Sequence, residues 1–285
     1  MSHVVADIFR QGTRLNIEDP RRQGNVIVLG PGCELLVSGD IHGNRRGLNN
    51  IITHGTLKAH SQRHLVLQEI EHGPIDSDTG HDRSIELLMR AVRLKIVHPS
   101  QVLFIMGNHS VAQISGSEIS KGGYGACKAF ADGVHFVFGE NGPEVLEAVE
   151  QFMRSLPLAV RCPGGVLISH SLPSPHRMDK TSTGILSQTT PVRDEDLRRG
   201  GSVYEWTWGR KHTAEHLDAL AAKLGVGFFL LGHQHTDAGY TIVSQRAAVI
   251  VSDHSHGYVV QFPGDQSLSG DTVEQHLKPL TALNK

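Results

Sequence analysis

Five short apolar runs in this chain each end in a cluster of Asp, Glu, Asn or His, and that recurrence restricts the fold more than anything else in the sequence. Leu35-Leu36-Val37-Ser38 runs into Gly39-Asp40-Ile41-His42-Gly43-Asn44. Leu65-Val66-Leu67 runs into Gln68-Glu69-Ile70-Glu71-His72-Gly73. Residues 102–106 lead to Gly107-Asn108-His109-Ser110, 166–168 to Ser169-His170-Ser171, and 228–231 to Gly232-His233-Gln234-His235. Continuous apolar runs of this length suit strands buried on both faces, and open α/β sheets place their ligands at the carboxyl ends of such strands. Histidines that merely fill a core would be scattered through strand interiors.

Further runs at 26–29, 247–251 and 258–262 complete the set of strands. Helical spacing lies between them: Val145, Val149, Phe152 and Leu156 share one face, as do Leu217, Leu220, Ala221 and Leu224, with Thr213 as N-cap. Residues 84–97 form a third helix, closed by His98-Pro99. The stretches 115–125 and 181–201 are rich in Gly, Ser and Thr and are expected as loops over a site or surface. No repeat or linker-like run divides the chain, so residues 1–285 are expected to form a single α/β domain with a mostly buried mixed sheet.

Composition narrows the partners. Lys and Arg number 27 against 29 for Asp and Glu, a formal charge of −2, so nothing electrostatic favours nucleic acid or an acidic membrane surface. No apolar run approaches the roughly 18 residues of a membrane span, and Asp7 interrupts any would-be signal core, so a cytoplasmic location is expected. Cys33, Cys127 and Cys162 stand far apart without a C-x-x-C pair, which supports neither a disulfide framework nor a zinc ribbon. Histidine, by contrast, occurs 19 times.

Taken singly, Asp40-x-His42 reads as a turn, His233-x-His235 as a chance pair, His170 as a satisfied core residue and Glu69 as a solvated carboxylate. Their joint placement at strand ends points to metal. Imidazole and oxygen donors without thiolate suit Mn foremost, with Fe or Zn as alternatives. Asp40, His42, Glu69, Asn108, His170, His233 and His235 are too many donors for one tetrahedral ion and suit two ions sharing a carboxylate. Two metals ~3.5–4 Å apart activate a bridging water and clamp phosphoryl oxygens during in-line displacement.

These residues, in this order, resemble the calcineurin-like metallophosphoesterase superfamily, and within it the serine/threonine protein phosphatase branch. The resemblance runs from Gly39 to Tyr240 and rests on Gly39-Asp40-x-His42-Gly43, Gly107-Asn108-His109 and Gly232-His233-x-His235, with Trp208-Gly209 and Gly239-Tyr240 in support. It implies a two-sheet β-sandwich flanked by helices, in four layers. It implies Asp40, His42 and His235 on a first metal and Asn108, His170 and His233 on a second, with a bridging carboxylate. It implies His109 as the proton donor to the leaving alcohol and a phosphorylated protein or small molecule as substrate.

The chain departs from the resemblance in its second motif. Where the family has Gly-Asp-x-x-Asp-Arg-Gly, Glu69 takes the bridging Asp position, His72 the second Asp and Gly73 the phosphate-binding Arg. Asp82-Arg83, in a short insertion before Ser84, is the candidate replacement for the lost pair, with Asp82 supporting His109. Ser110 stands where the family has Glu. Arginine offers bidentate donors to phosphate, which nominates Arg45, Arg46 and Arg210 as clamps. Two other readings share the motifs: a nucleotide or dinucleoside polyphosphate hydrolase, and a metal-bearing scaffold whose altered second motif has cost it catalysis.

Overall fold

A computed structural model describes residues 2–121, 123–189 and 191–284. Two sheets form the frame. The larger runs, edge to edge, through Arg22–Gln23, Val26–Val28, Ala159–Arg161, Val166–Ser169, Phe228–Leu231, Ala247–Ile250 and Tyr240–Ser244. The smaller runs through Leu277–Pro279, Tyr258–Pro263, Glu34–Asp40, Arg63–Gln68 and Val102–Ile105.

Side-chain alternation along each strand decides what lies on either face. Leu35, Val37, Val66, Leu103 and Ile105 of the smaller sheet meet Val166, Ile168, Phe228, Leu230 and Ile250 of the larger in one apolar cluster, the inside of the sandwich. The residues of opposite parity, Leu36, Leu65, Leu67, Phe104, Leu167 and Phe229, join Phe9, Leu88, Val92, Leu217 and Leu220 from the flanking helices. Both faces of each central strand are therefore covered, which is why the runs read as continuously apolar. The expected α/β sandwich with outer helices is what the chain forms.

The helix Ser84–Val97 has the expected bounds, and the helix Ala214–Leu224 starts at Thr213, whose hydroxyl accepts the His216 amide at 3.3 Å. The pattern around Val145 becomes the helix Gly142–Arg154. Sequence periodicity missed the helix Ser2–Ile17, which lies against Ser84–Val97 and Gly142–Arg154. The stretch 115–125 carries a short hairpin, Ser120–Lys121 with Tyr124–Gly125, and 181–201 carries the turns Thr183–Leu186 and Asp194–Leu197. Such two- to four-residue elements are too short to show a period; residues 122 and 190 of these stretches lie outside the described residues. Among the described residues no helix is long and apolar enough to cross a membrane.

The topology sets the site. Glu34–Asp40, Arg63–Gln68 and Val102–Ile105 run parallel, as do Val166–Ser169, Phe228–Leu231 and Ala247–Ile250, so each sheet presents its strand carboxyl ends along one edge. The two edges meet: Asp40 bridges Val251 in parallel fashion, and the Ser252 amide donates to the Asp40 carbonyl at 3.0 Å.

Candidate metal centre

The first two motifs are locked together by their backbones. The Ile41 and His42 amides both donate to the Glu69 carbonyl, at 3.0 and 2.7 Å, and the Gly43 amide donates to Ile70 at 3.0 Å. His42, Glu69, His72 and His233 all adopt positive φ, of 40°, 36°, 55° and 70°. Left-handed backbone costs a non-glycine residue on the order of 1–3 kcal/mol and persists where the surroundings over-determine it, commonly at functional sites. Two motif glycines act by leaving room. A Cβ on Gly107 would stand 2.0 Å from Glu69 Oε1, and one on Gly232 would stand 2.5 Å from Asp40 Oδ1. Both carboxylates thus reach the centre across bare backbone.

Hydrogen bonds fix which nitrogen each histidine presents. His42 Nδ1 lies 2.9 Å from the Glu71 carbonyl, which only accepts, so Nδ1 carries the proton and Nε2 the lone pair. Gln68 Nε2 donates to the Ser38 carbonyl at 2.9 Å, which turns Gln68 Oε1 toward His170 Nδ1 at 3.2 Å. His170 is therefore also protonated on Nδ1, with Nε2 bare. The two Nε2 atoms face different oxygens of one carboxylate: His42 lies 3.4 Å from Glu69 Oε2, and His170 lies 3.5 Å from Glu69 Oε1. Two groups of potential ligands result, His42–Glu69–His109 and Asp40–Glu69–His170, and Glu69 belongs to both.

Asn108 Oδ1 lies 2.8 Å from His170 Nε2 and 2.6 Å from His233 Nδ1, and those two nitrogens are 3.2 Å apart. Both carboxylate oxygens of Asp40 accept the His233 amide, at 3.1 and 3.0 Å. Burial holds His170 neutral, well below the usual imidazole range, with His233 and His42 as lesser causes. Burial, and then the charge of Arg210, push His233 down to about 3. His233 Nε2 is buried without a hydrogen-bond partner. A bare lone pair on His170 beside an amide oxygen, a carboxylate and His233 Nδ1 is a donor set that fits a cation. Neutral imidazoles and ionised carboxylates are the forms that ligate.

The remaining sequence candidates divide. A cavity of about 500 Å³ is lined by Asp40, His42, Asn108, His109, Arg210 and His235 among others. His235 is outside both ligand groups; its ring is 67% exposed and its Nε2 pairs with Asp237 at 3.0 Å. Arg45 is instead tied to Glu86 at 2.9 Å and does not line the cavity. Arg46 is also exposed, whereas Asp82 is buried under Gly73 with Oδ1 accepting the Ser84 amide at 2.8 Å. The His109 ring meets His72, Nδ1 to Nδ1 at 2.8 Å, and the His42 ring at 4.4 Å between centroids. Ser110 donates to Glu71, a buried carboxyl that desolvation pushes upward, so a carboxylate is kept beside Asn108-His109 although position 110 lacks one. The contacts of Gln68 with His170 and of Glu71 with His42 and Ser110 were not legible in the sequence. The one available signal for Gln68 was a polar residue closing an apolar run.

A two-sheet sandwich that gathers carboxylate, amide and imidazole at its strand ends is the frame of a metal-dependent hydrolase. The particular family follows from comparison: the sequence model described as calcineurin-like phosphoesterase matches residues 34–237, and the chain belongs to that family. It is accordingly a phosphoesterase. A protein serine/threonine phosphatase from Saccharomyces cerevisiae, described as similar to human phosphatase PP5, has a similar structure: TM-score 0.65, 15% identity, covering 92% of this chain and 83% of that one. A cold-active protein-tyrosine phosphatase of the psychrophile Shewanella sp. superposes with TM-score 0.58 at 15% identity, covering 86% of this chain and 79% of its own. No curated protein sequence matches the chain.

Proposed function

We propose that the chain is a binuclear metal-dependent phosphomonoesterase acting on phosphoproteins, with phosphoserine and phosphothreonine as its substrate class. The observation that carries this reading is Glu69, whose two oxygens face the Nε2 atoms of two different histidines. A carboxylate presenting one oxygen to each of two donor groups is arranged as a bridge. By the family pattern Asp40, His42 and His235 would hold the first ion and Asn108, His170 and His233 the second, with Asp40 also within reach of His170. Manganese is the foremost candidate, with iron and zinc compatible with the same donors.

Bound ions supply Lewis acidity that activates the attacking water and draws charge from the phosphoryl oxygens. The chain supplies the rest. Arg210, exposed on the cavity wall, offers paired donors to the phosphate. His109, at the junction of His42 and Glu69, gives its proton to the departing oxygen. An alkoxide leaves poorly, so a positioned acid serves serine and threonine esters far more than a phenolate. The two phosphatases of similar structure both act on proteins according to their descriptions, which supports a phosphoprotein substrate.

The test has two parts. Elemental analysis of protein purified without chelator should give two ions per chain. A panel at fixed Mn should show phosphoserine and phosphothreonine peptides cleaved at least ~10-fold faster than dinucleoside polyphosphates. A single ion overturns the binuclear centre, a preference for the anhydrides moves the function to nucleotide hydrolysis, and no turnover of any substrate leaves a scaffold.

A further inference from the structure

We infer that Glu150, Gln113 and His72 form a polarised relay that fixes the orientation and tautomer of His109, replacing the carboxylate that the second motif lacks. The inference rests on the reading of His109 as proton donor. Its geometry stands on three contacts. Gln113 Nε2 lies 3.3 Å from Glu150 Oε1, His72 Nε2 lies 3.1 Å from Gln113 Oε1, and His72 Nδ1 lies 2.8 Å from His109 Nδ1. The chain crosses from the helix Gly142–Arg154 through the helix Asn108–Ser115 to the second motif.

Each link has only one workable direction. An ionised carboxylate accepts and cannot donate, so Glu150 turns the Gln113 amino group toward itself and the amide oxygen toward His72. That oxygen accepts, so the proton of neutral His72 sits on Nε2 and its Nδ1 carries a lone pair. His109 Nδ1 must then be the N–H of the His72–His109 contact, and Nε2 is the nitrogen left for the cavity. His72 is fully buried, with the Phe130 ring edge-on at 5.4 Å between centroids, so no bulk water competes for its nitrogens. His72 holds a positive φ of 55° where its ring meets His109.

The consequence for the reaction is a defined proton path. The imidazolium of His109 holds two protons; the one on Nε2 passes to the leaving oxygen as the P–O bond breaks, and the one on Nδ1 stays on His109, donated to His72 Nδ1. What remains is neutral His109 in the Nδ1–H form that the relay selects. An aspartate would achieve this with a charge beside His109; here the charge is held three links away, at Glu150. Glu150, Gln113 and His72 are positioning residues, since none lines the cavity.

Glu150→Gln is the sharpest variant, because it keeps shape and removes only the cue that orients Gln113. A flipped amide presents N–H to His72, forces its proton to Nδ1 and sets N–H against N–H at His109. Turnover of an alkyl phosphate should fall ~10- to 100-fold, the usual size of an outer-partner effect. Turnover of an aryl phosphate, KM and metal content should stay within ~2-fold. The exchanged pair Glu150→Gln with Gln113→Glu restores the direction of the relay and should recover the alkyl rate to within ~3-fold, which a merely structural role would not. Nitrogen-15 NMR of labelled, metal-loaded protein reads the tautomers without any turnover: Nδ1–H on His109 and Nε2–H on His72 in the parent, lost in Glu150→Gln. Parent tautomers of the opposite sense, unchanged tautomers in the variant, or equal losses on both substrates overturn the relay. Inactivity of the parent with the expected tautomers overturns the catalytic reading of His109 and leaves the relay standing.

Discussion

On one side of Glu69, His170, Asn108 and His233 are buried and touch one another at 2.6–3.2 Å, with Gln68 behind them. On the other side, His42 is pinned by a backbone carbonyl, but its proposed companion His235 is 67% exposed and paired with Asp237. In the proposed centre the inner half is assembled by the fold, and the outer half would take an exposed ligand from the surface. An assembled half loses little freedom when it takes a ligand, whereas an exposed imidazole must be ordered at the moment of binding. The inner half should therefore bind its metal more tightly and the outer half exchange it more readily.

Substituting the group that both halves share should produce the largest effect. Glu69→Gln should lose at least one metal and at least ~10²-fold in activity, more than an outer partner is worth; full occupancy with the parental rate would mean that another group bridges. Next comes the contrast itself. His170→Asn should release the inner metal and also destabilise the apo-protein by about 1–3 kcal/mol, through the partners it leaves buried and unpaired. His235→Asn should weaken only the outer metal and leave the urea midpoint unchanged, and equal stability losses in the two variants would erase the distinction. Gln68→Leu removes the amide that sets the His170 tautomer, so metal affinity measured by chelator competition should fall ~10- to 100-fold on the inner side alone.

The smallest effect is one of pH. His212 and His216 lie with ring centroids 5.5 Å apart, and none of their ring nitrogens has a hydrogen-bond partner. Burial, and then His216, push His212 down to about 4, and burial also lowers His216. The unfolded chain titrates these groups near ~6.5, so between about 6.5 and 4 it binds more protons than the folded chain. Stability is complete above that window and is lost as pH falls through it. Apo-protein urea midpoints at neutral and acid pH should separate, and His212→Phe should narrow the gap; an unchanged gap would assign the acid sensitivity to the inner metal ligands.

The same contrast explains what the sequence disclosed. Strands buried on both faces announce themselves as apolar runs, and their carboxyl ends carried Asp40, Asn108, His170 and His233 in motifs of fixed spacing. What stayed hidden depends on contacts across the chain. His72 faces Gln113 from 41 residues away, and the pairing of Ser110 with Glu71 spans 39, so no local spacing discloses either. Arg45 looked like a clamp because it follows the first motif, but Glu86 is its partner in space. The N-terminal helix was missed because Gly12 and Asn16 share its buried face with Val5, Ala6 and Phe9, which interrupts the apolar pattern.

The meeting of the two sheets at Asp40 and Val251 bears on how the molecule comes apart. Each sheet, with the helices on its outer face, has the makings of a separate opening unit. Asp40, Glu69 and Asn108 come from one unit and His170, His233 and His235 from the other, so an ion held by both would fasten them. Loss of either sheet would then forfeit the whole binding energy, about 2.7 kcal/mol for a ligand at a hundred times its dissociation constant. Metal would make unfolding all-or-none, and its removal would let the sheets open separately.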